Sequence, residues 1–117
     1  MRDFRKYAVW NLAMDLATDI YGYTAEFPKE ERYGLAGQMQ RAVVSIPSNI
    51  AEGASRKSEM EFIHFLEIAL GSAFELESQL IIANRIGYIE ESEISELLQR
   101  LNSIQKGINH LISVIRK

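Results

Sequence analysis

The sequence predicts an all-α protein, an antiparallel up-down-up-down four-helix bundle, on three observations. Apolar residues recur at three- and four-residue spacing, as in Leu35, Met39, Ala42, Val43, Ile46 and Ile50, which is the period of one helix face. Alternating β-branched runs are nearly absent, and only two prolines, Pro28 and Pro47, interrupt the pattern. Four periodic stretches of similar length are separated by short breaks, and short connections set successive helices side by side and antiparallel. Residues 1–117 form a single domain, and 117 residues suffice to bury a core.

The first helix is expected over about Lys6 to Glu26, with Val9, Leu12, Ala13, Leu16, Ile20 and Tyr23 turned inward. Phe27-Pro28 ends it, because proline disfavours helix in the residue before it. Pro28 and the acids Glu30 and Glu31 suit a new helix start, where the missing proline donor is harmless and the dipole favours anions. The second helix is expected from about Lys29 to Glu52, with Gly53 as its C-terminal cap. Pro47 removes the donor that would serve the Val43 carbonyl. The stripe continues through it, which predicts a kink rather than a stop. Asn49 or Ser48 is placed to serve the freed backbone group.

Ser58-Glu59-Met60-Glu61 is a capping box, in which the serine hydroxyl accepts from the Glu61 amide and the glutamate reaches back to the Ser58 amide. It opens a third helix running to about Ile86, with Phe62, Leu66, Ala69, Ala73, Leu76, Leu80 and Ala83 inward and Gly87 as terminator. The fourth helix runs from about Glu90 to Ile115. Its stripe is Ile94, Leu97, Leu98, Leu101, Ile104, Ile108, Leu111, Ile112 and Ile115. Glutamates crowd its start, and Arg116 and Lys117 close it, which matches the helix dipole.

Composition removes several classes of function. Apolar residues make up 47% of the chain, too many for a disordered segment. With no cysteine there is neither a disulfide framework nor a thiolate nucleophile or ligand. The charged opening Met1-Arg2-Asp3-Phe4-Arg5-Lys6 differs from a secretory leader, and no window approaches the ~20 apolar residues of a membrane span. A soluble cytoplasmic protein without a membrane partner is expected. The net charge of −3 opposes polyanion binding by the whole surface.

The first helix carries more apolar surface than one core needs. Trp10, Met14, Ala17 and Tyr21 form a second stripe, about 100° from the first. The third helix adds Phe65, Ile68 and Ser72. Either the core is wide and Trp10 partly buried, or the extra stripe is a subunit interface, with Trp10, Met14, Tyr21 and Phe65 as its anchors.

Several stretches resemble the four-helix-bundle family encoded in intervening sequences of 23S ribosomal RNA genes. They are Trp10 to Tyr21, Phe27-Pro28-Lys29-Glu30-Glu31-Arg32-Tyr33-Gly34-Leu35, Ser45-Ile46-Pro47-Ser48-Asn49-Ile50-Ala51-Glu52-Gly53, Phe65-Leu66-Glu67-Ile68-Ala69, and Gly71-Ser72 followed by Glu75-Leu76-Glu77. The resemblance runs roughly from Phe4 to Leu111. It implies an antiparallel bundle that assembles as a homopentamer, which would account for the extra stripe, and it implies no enzymatic activity. A related branch serves diversity-generating retroelements as a basic pentamer that binds nucleic acid and a reverse transcriptase. The family often has two arginines in the second helix where this chain reads Gln40-Arg41, and this chain is acidic overall.

Catalytic and metal chemistry finds little support. Glu61-Phe62-Ile63-His64 is half of a di-metal helix motif, but His110, the other histidine, has Gly107 three positions before it. Ser45, Ser48, Ser58 and Ser72 have no histidine in helical register. Ser58 is explained by capping, and Ser72 by close helix approach beside Gly71. No cofactor, metal or small-molecule substrate is indicated.

Two polar features remain. Gln38, Arg41, Ser45, Asn49 and Glu52 share one helix face and read as a network fixing helix or subunit register, with Arg41 pairing to Glu75. At one pole of the bundle lie Arg2, Arg5, Lys6, Arg56, Lys57, Arg116 and Lys117 against four acids. The opposite pole has three basic residues against seven acids. Dipole matching explains much of this, and a phosphate-binding rim on a ring is the functional reading. The sequence thus predicts a non-enzymatic, self-assembling homo-oligomeric scaffold or adaptor. The alternative is an accessory protein that contacts RNA through the basic pole.

Overall fold

The computed structural model describes residues 2–117 and is helical throughout, with no strand among them. Four helices, α1 (Ala8–Ala25), α2 (Leu35–Ala54), α3 (Glu59–Arg85) and α4 (Glu91–Arg116), are preceded or joined by two single 3₁₀ turns, Phe4–Lys6 and Lys29–Glu31. Each helix packs on the next and α4 returns to α1, while the diagonal pairs do not meet. This is a closed four-helix bundle. The 27 residues of α3 set its long dimension, 44 Å against 24 and 19 Å across.

The core is where the periodicity places it. Leu16, Ile20, Met39, Ile46, Ile50, Leu66, Leu76, Leu80, Leu97 and Leu101 are fully buried. Leu12 is the one inward-stripe residue that is exposed, while Tyr23, Leu35, Leu98, Leu111 and Ile115 are only partly buried. Leu12 is 46% exposed, because it lies on the edge of α1 that carries Asp19, two turns on, where the contact to α4 is an ion pair with Arg100. Contacts along α2 and α3 run in opposite order. Ser45 meets Ser72, whereas Gly53 lies against Phe62 and Phe65.

The helix ends correct several expectations. The first helix starts at Ala8 rather than near Lys6. Asp3 caps a separate turn by accepting from the Arg5 amide at 3.1 Å, and Tyr7 is extended. The second starts at Leu35 rather than Lys29, because a turn at Arg32 to Gly34 intervenes. The Glu31 carboxylate then accepts from the Leu35 amide at 3.0 Å, standing in for the missing cap.

Gly53 is not a cap. It sits buried in the last turn of α2, where an added Cβ would come within 2.7 Å of the Phe65 Cβ and 3.2 Å of the Phe62 carbonyl oxygen. The end of α2 is closed from the N-terminal segment: the Arg2 guanidinium donates to the carbonyls of Ala54 at 3.4 Å and Arg56 at 2.7 Å. α2 is a continuous helix across Pro47. Asn49 serves the Ser45 carbonyl at 2.8 Å rather than that of Val43.

Ser58 caps α3 as expected, accepting from the Glu61 amide at 3.1 Å, but the Glu61 carboxylate accepts a hydrogen bond from the serine hydroxyl instead of from the Ser58 amide. At the other end Gly87 has φ +88°. The Tyr88 amide donates to Ala83 and the Gly87 amide to Asn84, which is the paired closure of a Schellman motif. Tyr88 then stacks on Phe27 at 5.0 Å and donates its hydroxyl to Glu31 at 3.0 Å. That hydrogen bond, and secondarily burial, raise the Tyr88 pKa above its ordinary 10.0. One carboxylate therefore ties the start of α2 to the end of α3.

Candidate interaction groove

The second stripe of α1 neither enters the core nor stands free. Trp10, Met14 and Tyr21 form one wall of a groove of about 610 Å³, and Val44, Pro47 and Ala51 of α2 form the other. Trp10 is half-buried, its ring meeting Phe4 edge-on at 5.1 Å. Met14, Tyr21 and Val44 are each more than 40% exposed. The α2 wall has no counterpart in the sequence reading, although Val44, Pro47 and Ala51 stand at steps of three and four. That spacing places the Pro47 ring in the groove lining.

Phe65 belongs elsewhere. Its Cβ packs against Gly53 in the α2–α3 seam, and the Arg56 guanidinium covers its ring at 4.8 Å. It is drawn into this seam because glycine lets the two backbones close up, so it does not join Trp10, Met14 and Tyr21.

The polar face of α2 divides into two parts. Ser45 and Ser72 share a hydrogen bond of 2.9 Å, and the Asn49 amide donates to the Ser45 hydroxyl at 2.9 Å. Ser72 is thus a polar bridge between helices, and Gly71 beside it faces open space. Gln38, Arg41 and Glu75 line a cleft of about 540 Å³ between α2 and α3. The expected Arg41–Glu75 ion pair is not among those made by the described residues; both side chains are exposed, so water competes for them. Glu52 pairs with Arg56 at 2.7 Å.

The basic pole is largely engaged within the fold. Arg2 serves backbone carbonyls and lies over Phe62 at 4.7 Å. Arg5 pairs with Asp3 at 3.7 Å, Arg56 with Glu52, and Arg116 with Glu67 at 3.3 Å. Lys6, Lys57 and Lys117 are exposed. Glu61 and His64 are likewise exposed on the first turns of α3, and no group of three or more His, Asp or Glu that could hold a metal occurs among the described residues. No helix among them is long and apolar enough to cross a membrane.

Fold and groove define a helical bundle whose most developed surface feature is apolar and open. The family model described as 23S rRNA-intervening sequence protein matches residues 5–110, and the chain belongs to that family. A protein of unknown function from the S23 ribosomal protein family of Bacteroides thetaiotaomicron is similar in structure. It shares 26% identity with a TM-score of 0.81, over 90% of this chain and 98% of that one. No curated protein matches the chain.

Proposed function

We propose that the protein is a non-enzymatic, self-assembling scaffold or adaptor, a homopentamer whose subunits join through the α1–α2 groove. The observation that carries this reading is the exposed apolar lining of Trp10, Met14, Tyr21 and Val44, since apolar surface concentrated in one patch is characteristic of contact sites. The occupant is a second copy of the chain. Ile68 and Ile82 of α3 and Ile86 at its C-terminal cap are 39%, 49% and 51% exposed. They share one side of the helix at about 3.6 residues per turn and lie outside the groove lining. We assign them as the apolar ridge of the facing surface. A groove on one face and a ridge on another suit a heterologous contact, which closes into a ring when the rotation between successive copies is a whole fraction of a turn. The count of five follows the family resemblance.

RNA binding through the basic pole has weaker support, because Arg2 is held by backbone carbonyls and Arg5, Arg56 and Arg116 each stand beside a carboxylate at the surface. Replacing Trp10 by glutamate tests the assembly. A charge in the groove should leave helical circular dichroism intact and convert the oligomer to particles of 13.4 kDa in sedimentation. An oligomer that survives the substitution refutes the groove as the interface.

A further inference from the structure

A second cleft opens where the groove ends, and its chemistry is different. It is an open cleft of about 470 Å³ bounded by Tyr21, Arg32, Tyr33, Gln40 and Arg41. Five of the other arginines have partners: Arg5, Arg56, Arg100 and Arg116 hold carboxylates, and Arg2 holds backbone carbonyls. Arg32 and Arg41 have no ion pair or hydrogen bond from their guanidinium groups among the described residues, and no acidic side chain lines their cleft. Glu75 lies beyond Arg41, in the neighbouring cleft.

The backbone brings the two guanidinium-bearing segments together. An added Cβ at Gly37 would lie 2.8 Å from the Arg32 carbonyl oxygen and 3.4 Å from Arg41 Nη1. The Arg41 side chain therefore folds over Gly37 toward the Arg32 turn, a path that a side chain at position 37 would obstruct. Aromatic surface flanks the charges: Tyr33 is 85% exposed and Tyr21 48%, and the Arg32 guanidinium stands 5.5 Å from the centre of the Tyr33 ring.

We propose that this cleft binds a phosphate carried on a planar ring, the chemistry of a nucleotide. Guanidinium forks match phosphate oxygens in pairs, and exposed tyrosine rings stack on bases. Tyr21 and Val44 line both the groove and this cleft, whereas Arg32, Tyr33 and Arg41 lie outside the groove, and the proposal rests on these three rather than on the assembly reading.

Calorimetric titration of the whole protein with adenosine 5′-monophosphate tests it, with adenosine and inorganic phosphate as the separated halves. Saturable binding of the nucleotide is expected, with each half at least about tenfold weaker. Arg32→Ala and Arg41→Ala should each weaken the nucleotide by about tenfold. Arg41→Lys should recover part of the loss, because it keeps the charge and gives up the fork. Tyr33→Ser, at an exposed position where folding is not at stake, should reduce the preference for nucleotide over phosphate. A 5′-phosphorylated trinucleotide binding more tightly than the mononucleotide would assign the cleft to a strand end, and equal or weaker binding to the free nucleotide. Absence of saturation up to about 10 mM nucleotide, unchanged affinity in both folded arginine-to-alanine variants, or inorganic phosphate binding as tightly as the nucleotide would each overturn the proposal.

Discussion

Two glycines on neighbouring elements have opposite environments, and the contrast fixes what each is for. At Gly53 a methyl group would strike the Phe65 Cβ and the Phe62 carbonyl, both fixed by α3, whereas at Gly71 it would meet nothing within 4 Å. Gly53→Ala should therefore cost about 1–3 kcal/mol, the range for overpacking a tight contact. Gly71→Ala should stabilise by about 0.5–1 kcal/mol through helix propensity alone. Chemical denaturation of the two variants beside the parent checks both signs. Spacing alone cannot separate these residues. The sequence shows a glycine near the end of a periodic stretch, for which a cap is the local reading; the real constraint comes from side chains that pack across the seam.

Tyr88 supplies a prediction of another kind. Its phenol must be protonated to donate to Glu31, and the raised pKa means that the folded state holds this proton more tightly than the unfolded chain does. The associated stability is then fully present below pH 10.0 and is lost as pH rises through the raised value. The gap in melting temperature between the parent and Tyr88→Phe should be constant near neutral pH and should narrow above pH 10.0. A gap independent of pH across that window would show that the hydroxyl does not hold the loop through Glu31.

At the scale of the element, what the sequence reveals depends on where each end finds its partner. Ser58 and Gly87 act within three to five residues of themselves, and both were legible: the serine caps α3 and the glycine takes the positive φ that ends it. The ends of α2 were misplaced because their partners are distant or unconventional. A glutamate, rather than a serine or aspartate, receives the Leu35 amide, and Arg2 closes the helix from 52 positions away in the chain. The helix interiors were legible, since one apolar stripe per helix is required by burial and is repeated over many turns.

The groove was half legible for the same reason. Its α1 wall shows as an excess stripe, whereas its α2 wall hides in a helix whose spacing already satisfies the core. The cleft of Arg32 and Arg41 was not legible as a unit, because the turn before α2 that brings the segments together was read as helix. If Ser58 acts locally as described, Ser58→Ala should lower stability by about 1 kcal/mol, and Ser58→Asp should restore most of it, since either side chain can accept from the Glu61 amide. Equilibrium unfolding with the cap as the only change provides the measurement.

At the scale of the molecule, the separation of groove and ridge determines which symmetry can follow. A two-fold dimer uses one patch twice and would leave either the Trp10 groove or the Ile68–Ile82–Ile86 row in water. In the proposed assembly a head-to-tail contact buries the groove of one copy on the row of the next, and the ring forms if the rotation closes. This mating of unlike surfaces predicts complementation. Trp10→Glu spoils the groove and keeps the row; Ile82→Lys spoils the row and keeps the groove. Each variant alone should sediment as a monomer, since every contact needs one intact groove and one intact row and each variant lacks one of the two in all its copies. Mixed in equal amounts they should form a pair of twice the 13.4 kDa chain mass, joined by the one intact groove and the one intact row, and should assemble no further. The melting temperature of the mixture should rise with protein concentration, because association stabilises the folded state by mass action, while that of either variant alone should stay constant. A mixture that remains monomeric, or an Ile82→Lys protein that still forms the parent oligomer, would show that the α3 row is not the surface that enters the groove.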